Sequence, residues 1–402
     1  MNMSKPKLWT KDFIIVSSVN FFLTIVFYLL MVTIAVYAVE QFHASTSQAG
    51  LVTGIFIIGT LIGRLFIGRV IDSIGHKRML FIGLIFFTLT TLLYFINFGL
   101  TFLLINRFIH GIALGMASTA TGTIVAQIIP ATRKGEGIGY YSMSATLATA
   151  IGPFIGLYMS QHTSFQVIFT LCLAFGVISL ITAFFLYVPA VERPTTSSEM
   201  KGFKLSNFIE YKAVPIAFIT LVLGFCYSSV LSYINFYAIE IDLVGTASFF
   251  FLVYSIAVLV SRPFTGRLMD IKGANFVMYP ALIIFMAGMV LLSLTNNSIT
   301  LLLSGILIGM GFGNMQSCTQ AIAVKLTPPN RMGLATATFF IFLDAGLGFG
   351  PFLLGFIIPI TGYRTMYIMM GVLILITALL YYFLHGKKEN AAKVSIDTSS
   401  SI

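Results

Sequence analysis

The chain has 402 residues, of which 58% are hydrophobic and only 9% charged, against about 25% charged in an ordinary soluble domain. That excess of apolar side chains is more than a soluble core needs. The net charge of +10 raises the question of a nucleic-acid partner, which the placement of the basic residues answers below.

Apolar runs recur about every 30 to 35 residues, so the unit of counting is the membrane span, and twelve such runs fit. The first covers 13–39, carries Asn20 and Tyr28, is too long for a signal-peptide core and is expected to be retained. Spans at 48–71 (with Arg64), 79–96 and 101–125 (with Arg107 and His110) follow, then 137–160 (with Gly152 and Pro153) and 164–188. The polar connection 189–212, rich in Pro, Ser, Thr and mixed charge, reads as a linker between a first half, 1–188, and a second, 213–385. The second half predicts spans at 213–239 (with Tyr227, Tyr233 and Asn235), 247–268 (with Arg262), 277–294 and 299–325. Its last two are 334–358 (with Asp344, Gly350 and Pro351) and 365–385. The tail 386–402 is short and polar and is expected to be disordered. The fold class is therefore an all-α membrane protein of twelve transmembrane helices in two pseudo-symmetric six-helix bundles.

Cys172, Cys226 and Cys318 all lie in apolar runs, which argues against a disulfide framework or a thiolate metal site. Of the 23 Lys and Arg residues, nearly all fall in or beside alternate connections, starting with the N-terminal segment. Only Arg364 falls in a loop of the other set, and Arg64, Arg107 and Arg262 lie within spans. The positive-inside rule then puts both termini in the cytoplasm and accounts for the basic charge without nucleic acid.

A shift of about half the chain lays GRLFIGRVIDSIGHKRML onto SRPFTGRLMDIKGANFVM. Arg64, Phe66, Gly68, Arg69, Asp72 and Gly75 meet Arg262, Phe264, Gly266, Arg267, Asp270 and Gly273. The same ungapped register pairs Gly111 and Gly115 with Gly309 and Gly313, and Pro130, Arg133 and Gly135 with Pro328, Arg331 and Gly333. It also pairs Gly152, Pro153 and Phe154 with Gly350, Pro351 and Phe352. The two halves are parallel repeats.

Gly68, Asp72, Gly75, Lys77 and Arg78 match the pattern G-x-x-x-D-(R/K)-x-G-(R/K)-(R/K), with Ser73 and His76 departing from it. Arg107, Gly111 and Gly115 match R-x-x-Q-G-x-x-x-G with His110 at the Gln, and Gly152, Pro153 and Gly156 match G-P-x-x-G-G with Leu157 at the last Gly. Over essentially its whole length the chain resembles the major facilitator superfamily, most closely its drug and proton antiporter branch of twelve-span exporters. The resemblance implies a proton-coupled secondary transporter that works by alternating access, and the Gly-Pro motif implies export. It also implies gating contacts at Asp72, Lys77, Arg78 and Asp270, and helix bends at the Gly152–Pro153 and Gly350–Pro351 pairs.

Asp344 lies about 15 Å into its span, close to the bilayer midplane. An ionised carboxylate there costs about 2.5–3.5 kcal/mol, so it must face a cavity, find a partner or take a proton, which makes it a candidate for proton coupling or cation attraction. Arg107 has Gly305 as its repeat counterpart, so its charge belongs to one half only, and with His110 one turn away it is a second candidate for substrate charge or proton coupling. Arg64 and Arg262 are expected to be structural, reaching partly toward water. Asn314, Gln316 and Gln320, with Asn20, Tyr28, Tyr227, Tyr233 and Asn235, are expected to line a substrate cavity suited to amphipathic ligands.

No Walker lysine motif, metal-ligand spacing or catalytic nucleophile is present, so neither ATP coupling, a cofactor nor enzyme chemistry is expected. The expected partners are a small organic substrate, protons and the lipid bilayer, in a prokaryotic inner or plasma membrane, and a monomer suffices for the mechanism. The alternatives are a dedicated exporter of one metabolite such as a sugar or opine, and, from another class, a non-transporting receptor.

Overall fold

The computed structural model describes residues 6–44, 46–189, 208–247, 249–387 and 389. The described residues are almost wholly helical, without a strand, and twelve of the helices are long and apolar enough to cross a membrane. A bilayer interior offers no water to backbone N–H and C=O groups, and a helix satisfies them within the segment. The first half contributes α1 (Lys11–Phe42), α2 (Thr46–Ile74), α3 (His76–Leu92), α4 (Leu100–Ile128), α5 (Lys134–His162) and α6 (Phe165–Phe184). The second contributes α7 (Val214–Glu240), α8 (Phe250–Lys272), α9 (Asn275–Ser293) and α10 (Ser298–Lys325). The final helical run, Met332–Tyr381, is broken by Gly362 at φ 73°, a backbone state that glycine adopts without a Cβ clash. Gly362 divides it into α11 (332–361) and α12 (363–381).

Several helices begin two or three residues earlier than the apolar pattern predicts, α5 and α11 among them. α5 starts at Lys134 rather than at 137, and the helix of α11 starts at Met332 rather than at 334. In these two a carboxylate from another helix bonds the first amide groups, as described below, and a helix N-terminus so capped extends into polar sequence. The helix after α12 also runs into the expected tail. Its π-helical turn spans Tyr382–Gly386, Lys387 and Glu389 are helical, and the Glu389 carboxylate accepts the Ala274 and Asn275 amides at 2.6 and 2.9 Å, capping α9. The rest of the tail, and most of the linker, lie outside the described residues.

The chain divides into two compact units. The first holds α1 to α4, α6, the part of α5 from Ser144 onward, the described linker residues up to Glu210, and residues 327–341 at the start of α11. The second holds residues 131–143 at the start of α5, α7 to α10, the remainder of α11 and α12. Each unit therefore includes one helix start supplied by the other sequence half.

Within the first unit α2 and α4 approach closely through facing glycines. A β-carbon on Gly111 would overlap the Phe56 carbonyl oxygen, and one on Gly115 would lie 2.5 Å from that of Thr60. From the other side, one on Gly63 would lie 2.6 Å from the Ile112 carbonyl oxygen. The second unit repeats the arrangement between α10 and α8, where a β-carbon on Gly309 would lie 2.5 Å from the Tyr254 carbonyl oxygen and Gly313 faces Val258. Small residues let membrane helices gain van der Waals contact where no hydrophobic force drives them together. Residues 309–313 of α10 form a π-helical turn, and Gly311 there lies against the backbone of Phe285.

Candidate functional site

The two repeated acidic residues cap helix N-termini. In the second unit Asp270, at the end of α8, accepts the Gly135 amide on Oδ1 and the Glu136 amide on Oδ2, both at 2.8 Å, and Lys325 Nζ donates to Oδ1 at 2.8 Å. The carboxylate is nearly buried, so these charge-assisted bonds act with little water competition. In the first unit Asp72, at the end of α2, accepts the Gly333 amide of α11 at 3.3 Å and lies 2.9 Å from His76 Nε2. His76 Nδ1 lies 2.7 Å from Gln127 Oε1, and Gln127 Nε2 donates to the Pro189 carbonyl at 2.6 Å. The two neighbours expected as gating cations act elsewhere or show no bond. Lys77 Nζ donates to the Leu186 carbonyl at 2.5 Å, closing the end of α6, and Arg78 makes no ion pair among the described residues.

The same unit anchors both described ends of the linker. Asp12 accepts the Tyr187 amide at 2.7 Å. Glu210 pairs with Arg331 at 2.5 Å, and its amide donates to Thr338 Oγ1 at 2.9 Å. The Arg69 guanidinium lies 5.1 Å from the Phe208 ring centre. These partners were out of reach of sequence reasoning, because Gln127, Lys325 and Glu210 stand far along the chain from the residues they serve. One signal was available: the shift that pairs the two halves also pairs Gln127 with Lys325, which serve Asp72 (through His76) and Asp270 respectively.

Arg107 and His110 do not offer their polar groups to open space. Arg107 is 1% exposed, donates from Nε to the Val52 carbonyl at 3.2 Å and from Nη1 to Tyr94 at 3.3 Å, and lies 4.2 Å from the Phe56 ring centre. His110 is fully buried, with Nδ1 2.9 Å from the Tyr94 hydroxyl and Nε2 3.4 Å from Thr91 Oγ1. The pair expected to serve proton coupling or substrate charge is thus occupied by contacts within the helix bundle. The guanidinium spends its charge on a carbonyl, a phenol and an aromatic face that hold α2, α3 and α4 together.

Arg262 is likewise buried instead of reaching water, with Nε and Nη2 on the Gly313 carbonyl at 3.3 and 2.9 Å. Arg64 is buried with its guanidinium 4.4 Å from the Phe340 ring centre.

Asp344 is half-buried in α11. The neighbouring helix face packs on α7, where the Leu343 carbonyl would lie 3.2 Å from a β-carbon on Gly224, and a β-carbon on Gly346 would overlap the Leu221 carbonyl oxygen. Gly350 packs against the Ser228 side chain, and Tyr233 donates to the Pro351 carbonyl at 2.6 Å. In the first unit Gly152 packs in the same way on α1, where an added β-carbon would lie 2.8 Å from Tyr28 Cβ. Both Gly-Pro pairs lie within continuous helix, α5 running unbroken past Pro153 and α11 past Pro351.

Several residues expected to line a cavity use their polar atoms in packing. Asn20 donates to Ser144 at 2.9 Å. Asn314 donates to Ser261 at 2.8 Å and accepts from Thr265 at 2.8 Å, joining α10 to α8. Tyr227 stacks on Phe312 at 4.1 Å and on Tyr254 at 5.4 Å. An unpaired polar group in hydrocarbon costs several kcal/mol, so neighbouring helices satisfy such groups. Gln316 and Gln320 differ. The Gln316 amide, half-exposed, makes no hydrogen bond among the described residues, and the buried Gln320 Nε2 finds no acceptor there. Tyr28 is half-buried, and the side chain of Asn235 lies outside the described set.

The family model for the Major Facilitator Superfamily matches residues 16–344 and 244–399. The chain belongs to that superfamily. As a member it is a multi-pass membrane transporter and not an enzyme. It is 25% identical over 87% of its length to an uncharacterized MFS-type transporter of Methanocaldococcus jannaschii, covering 91% of that protein. It is 25% identical over 80% of its length to multidrug resistance protein 1 of Bacillus subtilis, covering 83% of that chain. To the staphylopine export protein of Staphylococcus aureus it is 22% identical over 84% of its length, covering 87% of that chain. Its fold matches a crystal structure of the MFS transporter FucP in the outward conformation with a TM-score of 0.75 at 16% identity, covering 94% of this chain and 99% of that one.

Proposed function

We propose that this superfamily transporter exports small amphipathic or cationic organic compounds in exchange for protons. The observation that carries the reading is Asp344, a half-buried carboxylate inside a membrane-spanning helix. A carboxylate inside a membrane span is a place where a cation is attracted or a proton taken up, since an ionised acid there is costly. The unused amides of Gln316 and Gln320 on α10 supply hydrogen bonds to an organic ligand. Resemblance to a multidrug resistance protein and to an export protein supports the outward direction.

In this reading the halves 1–188 and 213–385 exchange access, with both termini in the cytoplasm and a single chain sufficing. The Asp72 and Asp270 contacts are then cytoplasmic gates. Each ties a helix of one half to the N-terminus of a helix from the other, so breaking them opens the inner side.

The test is accumulation of a fluorescent lipophilic cation in everted vesicles. The wild-type protein accumulates the dye only while a proton gradient is present, and Asp344→Asn at equal expression loses at least about tenfold of the rate. Equal rates in the two proteins overturn the role of Asp344. A second reading, a dedicated metabolite exporter, is favoured by the similarity to the staphylopine export protein. It predicts no uptake from a broad dye and drug panel and saturable transport of a single compound.

A further inference from the structure

His76, the first residue of α3, is one of two departures from the signature, with Ser73, and its surroundings assign it a charge state. The ring is buried, its side chain 4% exposed. One nitrogen lies 2.9 Å from Asp72 Oδ1 and the other 2.7 Å from Gln127 Oε1. The orientation of the Gln127 amide is set by Pro189, since only the NH₂ group can donate to that carbonyl, at 2.6 Å. The amide oxygen therefore faces the imidazole. Both ring nitrogens look at acceptors, and a neutral imidazole has one donor and one lone pair. Only the imidazolium makes both bonds.

The charged groups around the ring are few. On α2 it meets Asp72, and on α4 it meets Gln127, which does not titrate. Lys77, next in sequence, turns away to Leu186, and α11 contributes the Gly333 amide, which shares Asp72 Oδ1 with the ring. The repeat-related contact is built differently. There Lys325, standing where the first half has Gln127, gives Asp270 an ammonium partner at 2.8 Å. One gate thus carries a lysine and the other a histidine.

We propose that His76 is a proton-operated latch, protonated when it holds Asp72 on the N-terminus of α11 and releasing that contact when it loses its proton. The sign follows from the geometry. Below the titration both bonds form and Asp72 has a cation beside it. Above it, one ring nitrogen presents a lone pair to an oxygen and Asp72 loses its cation, so the latch weakens as pH rises. The proposal rests on the reading of this contact as a cytoplasmic gate. In a proton-driven exporter it acts as a brake, keeping the inner side closed when the cytoplasm is acidic and further proton entry would be harmful.

The experiment uses the full chain in liposomes with spin labels at Ser73→Cys and Asn330→Cys, both exposed sites, the three native cysteines being buried. Distance distributions are recorded from about pH 5 to about pH 8. The short-distance population is expected to fall at least about twofold across that range in the wild-type background. In His76→Lys it stays high throughout, and in Asp72→Asn it is low throughout. A pH response that survives in His76→Lys assigns the effect to another group and overturns the latch. A flat response in the wild-type background, with Asp72→Asn still lengthening the distance, overturns the latch and leaves the gate standing. No response in any variant overturns the gate as well. If His76→Lys does not assemble, histidine ¹⁵N shifts of the wild-type protein, assigned with His76→Gln, give the answer. A His76 ring neutral at about pH 5 overturns the proposal.

Discussion

Asp270 shows how much one side chain can organise. Two backbone amides and one ammonium group converge on a carboxylate at 2.8 Å each, and hydrogen bonds to a charged group contribute about 1.5–3 kcal/mol apiece. Asp270→Asn keeps the shape but surrenders the charge and one acceptor. It is expected to cut dye transport at least about tenfold and to raise the reactivity of an Ile138→Cys probe, at a buried position near the start of α5, toward a water-soluble thiol reagent, because the start of α5 loses its cap. Unchanged reactivity would show that the cap holds nothing closed. The aspartates were legible in the sequence through their repetition. The lone charge of Arg107 was legible too, but not its surroundings: it is buried against Phe56, Tyr94 and the Val52 carbonyl. A phenol and a carbonyl several turns away leave no mark in a pattern of spacing.

At the scale of helices, the glycine rows decide how near one backbone comes to another. Gly111 and Gly115 admit the carbonyls of Phe56 and Thr60, and the facing glycines of α2 admit the backbone of α4 in return. Gly111→Ala places a methyl group into backbone that cannot rotate away, and overpacking of this kind costs about 1–3 kcal/mol. A lower unfolding temperature of the purified protein is expected, without loss of membrane insertion, since insertion depends on each helix and packing on the pair. An unfolding temperature equal to that of the wild-type protein would mean that α2 and α4 have room to part. The span positions were readable from hydropathy to within a few residues. The helical continuation past α12, where Glu389 caps α9, was not.

For the whole molecule, the orientation proposed from the basic loops is open to direct measurement. A thiol at Ser73, exposed in the last turn of α2, is expected to react with an impermeant reagent only in everted membranes, and one at Phe98, exposed between α3 and α4, only in intact cells. The reverse pattern would invert the proposed topology and the sense of every gate. Twelve spans, two repeated halves and membership of the superfamily were all written in the sequence, because hydropathy, charge bias and glycine rows act locally along each helix. Tertiary structure alone decided which groups those helices serve. It placed the start of α5 with α8 and the start of α11 with α2. It spent Asn20, Asn314 and Tyr233 on packing while leaving Gln316 and Gln320 unused, and it set His76 between two acceptors. The physical reason is that a polar group in a membrane must find its partner wherever the fold brings one, and that partner is seldom near it in the chain.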